Sequence, residues 1–483
     1  MQKGFTRNFE PLRILRENQI EQIHKTSLDI LKVIGFKFES DKALKILEEN
    51  GCEVDYNTKI AKIPSNLVEE CIRKTPSSFV LKARDPKLNI SVGGNTIYFM
   101  NSAGARYADI DTGEVSLPTL EQNNIGVLVS DSLSSVHVFP SYTPYFEIMG
   151  VPPVMSCPVS CASRHRFSSK PSRGAQPSYS YIWETKIAQA VGAQLFGCVE
   201  GAAPLSLSED AIEAAYVYLN ADFPIYIASG SIMGGSHPVT IAGASASHNA
   251  ELLAIIVLLQ CIRPGCGVIA NNASFSMNMR SGDISFGTAA NALHQMAYNQ
   301  IWHDLYKIPV NNSGSGFSNS KFIDYQLGAE KLPLAMCSAL SGANMILLHG
   351  GVTAELAYNP ILAIIDDDVA NTIGKIVESF DVNDATIGLD TILEVGVSTG
   401  TFLTTKQTRT YWKSEDYQTQ VFDKLSYKEW TEGGKKTVID KAKERYDEII
   451  STHKPLPLTQ GQDESISEIL NEAEKFYKKK GLI

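Results

Sequence analysis

Residues Ser313–Gly351 read SGSGFSNSKFIDYQLGAEKLPLAMCSALSGANMILLHGG. The stretch opens on a polar Gly/Ser-rich turn that follows an apolar run, KIPVNN, Lys307–Asn312. A helix-length segment comes next. A second short apolar run, Met345–Leu348, then ends in His349 and Gly350. Strand, polar loop, helix, strand is the repeating unit of a parallel sheet, where a crossover must carry the chain back before the next strand starts.

The same unit recurs upstream. Apolar runs that end in small polar residues are TIYFMNS (Thr96–Ser102), VHVFPSY (Val136–Tyr142), KPSRGAQ (Lys170–Gln176) and QLFGCVEG (Gln194–Gly201). PIYIASGS (Pro224–Ser231), GVIANNAS (Gly267–Ser274), PVNNSGS (Pro309–Ser315) and NMILLHGG (Asn344–Gly351) follow. The third has little strand character and rests on its place in the order. Helical segments separate the runs, Thr240–Ile262 being the longest. Eight β-then-α units predict an α/β fold, a (β/α)8 TIM barrel, over residues 96–360. A doubly wound open sheet is the alternative. It is disfavoured because no GxGxxG or P-loop pattern follows the first run.

Residues 1–95 read as a mixed α/β N-terminal cap. Its helices are Leu15–Val33, Ala43–Asn50 and one containing Val68–Lys74, and Ser78–Arg84 and Leu88–Gly94 alternate like strands. Residues 361–483 read as a charged C-terminal helical extension with segments Asp366–Phe380, Trp430–Thr452 and Ser465–Lys480, broken by Pro455 and Pro457. The basic run Lys478–Lys480 is a solvated helix end.

With 483 residues the chain can bury a large core or two domains. Acidic residues outnumber basic ones 53 to 43, for a net charge of −10, which argues against a nucleic-acid partner. The N-terminus, MQKGFTRNFEPLRIL, has no apolar signal core, and no uninterrupted apolar stretch is long enough to span a bilayer. A cytoplasmic protein without a membrane partner is expected. The eight cysteines form no CxxC pair. Cys157, Cys161 and His165 have a spacing worth weighing as a metal site, but reduced thiols are the plainer reading and no metal is expected.

Several blocks together resemble one family, the trimethylamine methyltransferase family of corrinoid-dependent methyltransferases. They are the SNSK…D…Q.G.EK…ALSGAN pattern of the opening stretch, GGSHPVTIAGASASHNAELLAIIVLLQCIRPG (Gly234–Gly265) and MNMRSGDISFGT (Met277–Thr288). Ile392–Gly434, with FLTTKQTR and a later tryptophan, and the cap stretch Glu49–Asp85 extend the resemblance to nearly the whole chain. It implies transfer of a methyl group from a methylated amine to the cobalt of cob(I)alamin carried by a separate corrinoid protein. No tightly bound cofactor is expected, since the chain has no DxHxxG cobalamin-ligand motif. A homo-oligomer is expected.

The family archetype carries pyrrolysine just before an SDxK-like motif. The corresponding stretch here, Ser315-Gly316-Phe317-Ser318-Asn319-Ser320-Lys321, contains standard residues alone. GTAANA (Gly287–Ala292) lacks the usual acidic residue, and Tyr142–Pro177 diverges strongly.

In a barrel the site lies at the C-terminal strand ends. The run ends hold Asn101, Tyr142, Tyr145, Arg173, Glu200, Ser229, Asn271, Asn272, Phe275, Asn312, Ser315, Phe317 and His349. Many such Asn and Ser residues cap helices or form turns. Glu200 attracts a cationic substrate or else holds loops by a salt bridge. Arg173 clamps a carboxylate or makes an interloop ion pair. Tyr142, Tyr145, Phe275 and Phe317 are candidates for a cage around a quaternary ammonium, with core packing the plainer role of each. His349 is a candidate acid or orienting group, or a structural histidine. Asn271, Asn312 and Ser315 are candidate substrate contacts.

A quaternary ammonium leaves as a neutral tertiary amine and needs no covalent activation, so positioning and electrostatics suffice. The expected donor is therefore a quaternary amine, and the resemblance to family members without pyrrolysine implies one like glycine betaine. Demethylation of another methylated small molecule, or an inactive member that binds a ligand or the corrinoid protein, are the alternatives.

Overall fold

The eight apolar runs build the centre of the molecule, seen in a computed structural model that describes every residue except Thr143, Glu355, Ser398 and Thr399. Three of those four fall in stretches read above, Tyr142–Pro177 and Ile392–Gly434, and lie outside the described residues. The strands are β1 (Thr96–Asn101), β2 (Val136–Val138), β3 (Ser172–Arg173), β4 (Leu195–Gly201), β5 (Ile225–Met233), β6 (Val268–Met277), β7 (Val310–Asn312) and β8 (Met345–His349). The helices between and after them are α1 (Leu120–Ser132), α2 (Ser156–Phe167), α3 (Ser180–Ala190), α4 (Glu209–Asn220), α5 (Ile241–Ile262), α6 (Ala289–Gln300), α7 (Tyr325–Ser341) and α8 (Pro360–Glu378).

The sheet curls into an α/β half-barrel wrapped by helices. Parallel pairs run β3–β4, β4–β5, β5–β6, β6–β7, β7–β8 and β8–β1, and β2 pairs with the other edge of β1. An isolated parallel bridge joins Phe139, just past β2, to Ser172 of β3. The short strand Phe5–Thr6 pairs antiparallel with β1, which makes the sheet mixed.

Both faces of these strands are buried, so alternate residues enter two different cores. One parity fills the concave side with Tyr98, Met100, Phe196, Cys198, Tyr226, Ala228, Ile269, Met345 and Leu347. The other meets the helices through Ile97, Phe99, Val199, Ile227, Ala270, Val310, Ile346 and Leu348. α5 is apolar and long enough to cross a membrane, yet it lies mostly buried as the central helix of this outer core.

Cap helix Glu17–Val33 lies against α5, with Ser27 Oγ donating to the Ala246 carbonyl at 2.9 Å. The helix expected over Asp366–Phe380 starts earlier, at Pro360, where the Asn359 side chain accepts from the Ile361 and Leu362 N–H groups. It packs with the sheet's helical layer instead of trailing as a tail. The helix expected over Trp430–Thr452 is two, Tyr427–Glu432 and Val438–Thr452, separated by Gly433 and Gly434. Gly434 has φ +91, a left-handed value that ends a helix.

Candidate functional site

At the C-terminal ends of the strands the concave core opens into a cavity of about 400 Å³. Its floor is apolar, with Met100 from β1 and Leu347 from β8. Its walls carry two opposite charges and a set of rings. Arg173 comes from β3, Glu200 from β4, Tyr226 from β5, Asn271 and Phe275 from β6, and Phe317 from the loop after β7. Tyr142 and Phe146, from the segment after β2, close one side, with ring centroids 4.4 Å apart.

Arg173 lies with its guanidinium carbon 4.4 Å from the centroid of the Tyr226 ring and donates from Nε to Ser141 Oγ at 2.8 Å. Burial works to discharge it. Tyr226, Cys198, Glu200 and Tyr142 outweigh that penalty and raise its pKa, so it stays cationic. Burial also raises the Tyr142 phenol well above its ordinary range and pushes that of Tyr226 up to about 12, so both rings are neutral at pH 7.

Glu200 is half-buried and fixed through its backbone. Its N–H donates to Gln176 Oε1 at 2.7 Å, and Gln176 Nε2 donates back to its carbonyl at 3.4 Å. Its carboxylate forms no ion pair with a described residue. The sequence-based alternative of a loop salt bridge is therefore not what the geometry gives.

Facing these charges is a polar network on β5–β7. Asn311 Nδ2 donates to Asn271 Oδ1 at 2.6 Å and to the Tyr226 hydroxyl at 3.0 Å, and Ser313 Oγ donates to Asn271 Oδ1 at 2.9 Å.

Phe317 belongs to a rigid loop. Ser318 Oγ and the Asn319 N–H both donate to Glu330 Oε2 of α7, at 2.7 and 2.8 Å. Asn319 Oδ1 accepts from the Phe286 N–H at 2.6 Å, and Ser320 Oγ donates to Asp324 at 2.8 Å. The SNSK motif thus spends its polar groups on holding the loop in place. Gly316 permits the turn's approach to β8, since a Cβ there would sit 2.6 Å from Leu347 Cδ2. Phe317 meets Phe275 and Phe286 edge-on, at 6.0 and 5.5 Å.

Of the predicted site residues, Tyr142, Arg173, Glu200, Asn271, Phe275 and Phe317 come together at this cavity. Four do not. Tyr145 is buried in another core, where its ring meets Tyr358 at 5.7 Å and its hydroxyl donates to the Tyr358 carbonyl. Asn312 has the outward parity of β7 and exchanges amide hydrogen bonds with Asn299 of α6, both at 2.8 Å. Ser315 donates to the Leu347 carbonyl at 2.9 Å and is fully buried.

His349 follows a bulge in β8, which turns it outward to Ser135 Oγ at 2.8 Å and Asp367. It is not an acid of the cavity. Asn101 and Asn272 also take outward roles; Asn272 contacts His294 of α6 at 3.1 Å. Ser229 donates to Glu251 of α5.

Sequence reading missed Tyr226, Phe146, Asn311 and Ser313. For Asn311 the deciding signal is the register Asn271–Asn311, which aligns it with the inward parity of β6 and which the sequence does not carry. Among the described residues no group of three or more His, Cys, Asp or Glu side chains is placed to hold a metal. Cys157, Cys161 and His165 lie buried on α2, and burial pushes the Cys161 thiol up to about 12.

A cavity at strand C-terminal ends, apolar below and charged at the rim, is the site architecture of an α/β enzyme. The profile of the family described as trimethylamine methyltransferase matches residues 1–165 and 184–475. The chain belongs to this family and is a methyltransferase.

It is 28% identical over 456 residues to the glycine betaine methyltransferase of Desulfitobacterium hafniense, covering 92% of this chain and 93% of that one. It is 27% identical over 466 residues to the trimethylamine methyltransferase MttB of Methanosarcina thermophila, covering 92% and 94%. The solved monomethylamine methyltransferase of Methanosarcina barkeri superposes with a TM-score of 0.49 at 15% identity, over 97% and 94% of the two chains.

Proposed function

We propose that this chain transfers a methyl group from a zwitterionic quaternary amine of the glycine betaine type to cob(I)alamin carried by a separate corrinoid protein. The observation that carries the reading is one cavity holding a half-buried cation, Arg173, and an acid, Glu200, that forms no ion pair among the described residues, set among neutral aromatic rings. A lone cation would meet Arg173 unfavourably. A substrate with a carboxylate for Arg173 and an ammonium for Glu200 and the rings fits both charges.

The chemistry asks little of the protein beyond placement. The Co(I) electron pair forms a bond to the methyl carbon, the C–N pair stays on nitrogen, and a neutral tertiary amine leaves. Phe317, Phe275 and Tyr142 would strip water from the ammonium, and Glu200 would hold it in place against the electrostatic repulsion of Arg173. Phe317 supplies no electrophile, which suits a donor that is already cationic.

The reading includes a sheet closed into a (β/α)8 barrel. The Phe139–Ser172 bridge, with the Phe139 N–H donating to Pro171 and the Arg173 N–H to Phe139, both at 2.9 Å, supports closure. It also includes a cap over residues 1–95, a barrel over 96–360 and an extension over 361–483, in a cytoplasmic homo-oligomer without a tightly bound cofactor of its own.

The test is a panel of methylated amines offered to the purified chain with a corrinoid protein reduced to Co(I), scored by methyl-cobalt absorbance. Glycine betaine or a close carboxylated analogue is expected to react, and trimethylamine not. Robust methylation from trimethylamine refutes the proposal.

A further inference from the structure

Arg173 sits on the shortest of the eight parallel strands, and a buried ion pair holds that strand. Arg164 of α2 and Glu184 of α3 meet at 3.0 Å with 1% and 0% of their side chains exposed. Each also reaches backbone groups, and Arg164 Nη1 donates to Ser160 Oγ at 3.4 Å. Arg164 donates to the Ser141 carbonyl, and to the Arg173 carbonyl at 3.3 Å. Glu184 Oε2 accepts from the Ala175 N–H at 2.7 Å. Ser141 Oγ completes the circuit, accepting from Arg173 Nε at 2.8 Å and donating to the Gly174 carbonyl at 2.5 Å. The pair therefore grips the chain at the Arg173 carbonyl, two residues further on at Ala175, and just before Tyr142.

Stability alone is a poor reason for such a pair. Two charges taken out of water often return less than a well-packed apolar pair of the same volume. What apolar side chains cannot do is bind three backbone groups at fixed positions. A guanidinium offers five donors in a rigid plane, and it is used here as a bracket. The bracket also has a boundary in sequence: residues 166–183, which include Arg173 and Gln176, lie between the two stretches that the family profile matches. Arg164 and Glu184 stand at the two ends of that segment.

We infer that the Arg164–Glu184 pair is the positioning element of substrate selection, setting the Arg173 guanidinium where a substrate carboxylate must lie. The inference rests on the proposed zwitterionic substrate. Neither residue lines the cavity; both act through Arg173.

The experiment measures binding of glycine betaine and of choline, which has the quaternary ammonium without the carboxylate, to the purified full chain by titration calorimetry. It is run for the wild type, Glu184→Gln and Arg164→Lys, each checked by thermal melting. Lysine keeps the charge but cannot span the same three partners. The wild type is expected to prefer glycine betaine. In both variants that preference should fall by about tenfold or more, while choline affinity changes by less than about threefold.

Folded variants that keep the wild-type preference overturn the inference and leave the substrate reading intact. A wild type without the preference overturns the substrate reading, and the inference with it. Failure of both variants to fold assigns the pair to structure and also overturns the inference.

Discussion

The two walls of the cavity are built by different means. On one side β5 and β6, of nine and ten residues, pair through long stretches of ladder, and the backbones of Asn271 and Phe275 are placed by strand register with β7 and β5. On the other, β3 has two residues, and Arg173 is placed by side chains of α2 and α3. A ladder fixes a residue through many weak, redundant bonds, so one substitution moves it little. A bracket concentrates the task in two residues, so position can change without rebuilding the sheet. The wall that carries the distinguishing charge is the bracketed one.

The comparison breaks most sharply at Arg164. Arg164→Ala leaves Glu184 buried without its partner and is expected to cost about 3–5 kcal/mol in chemical denaturation. The double variant Arg164→Met/Glu184→Leu should recover part of that loss, because it removes both charges together but leaves the Ser141, Arg173 and Ala175 backbone groups without these partners. A double variant as unstable as the single would place the cost in packing and weaken the contrast between the walls.

Phe317 tests the ladder side, where the loop after β7 presents a ring. Phe317→Ala should raise the Kd for a quaternary ammonium ligand by the equivalent of roughly 0.5–2 kcal/mol, with folding retained because the loop's hydrogen bonds lie elsewhere. An unchanged Kd would remove this ring from the cage.

The smallest effect is a pH dependence. Burial raises the Glu184 carboxyl from 4.5 to about 7, against the pull of Arg164 and, more weakly, Arg173; Cys157, Cys161 and Tyr218 also face it. The folded state then binds this proton more readily than the unfolded chain. The stabilisation it brings is full below about 4.5 and is lost as pH rises through about 7. The stability difference between wild type and Glu184→Gln should therefore shift in favour of the wild type on going from pH 8 to pH 5. A flat difference would mean that the carboxyl does not titrate in this range.

The strand order was legible because strands buried on both faces read as apolar runs, and each ends in the polar residues that begin a loop. β3 was faint for the reason that makes it distinctive. KPSRGAQ buries little apolar surface of its own, and its support comes from Arg164 and Glu184, far from it along the helices. The site was legible as a rim and not as a face. Asn312 and Asn311 differ by one residue, and only the register with β6 decides which looks inward. At His349 a bulge reverses the count, and nothing in NMILLHGG announces it. Tyr145 lies past the strand end, where period-two reasoning stops applying.

The SNSK loop carries a last consequence. Its polar groups tie it to Glu330, Phe286 and Asp324, and none of those bonds involves the side chain at 317. That side chain is a bit held in a chuck: the holder is fixed and the working end is exchangeable. A single codon change there alters the lining of the cavity while leaving every bond that holds the loop in place, so this wall can vary without the fold having to follow.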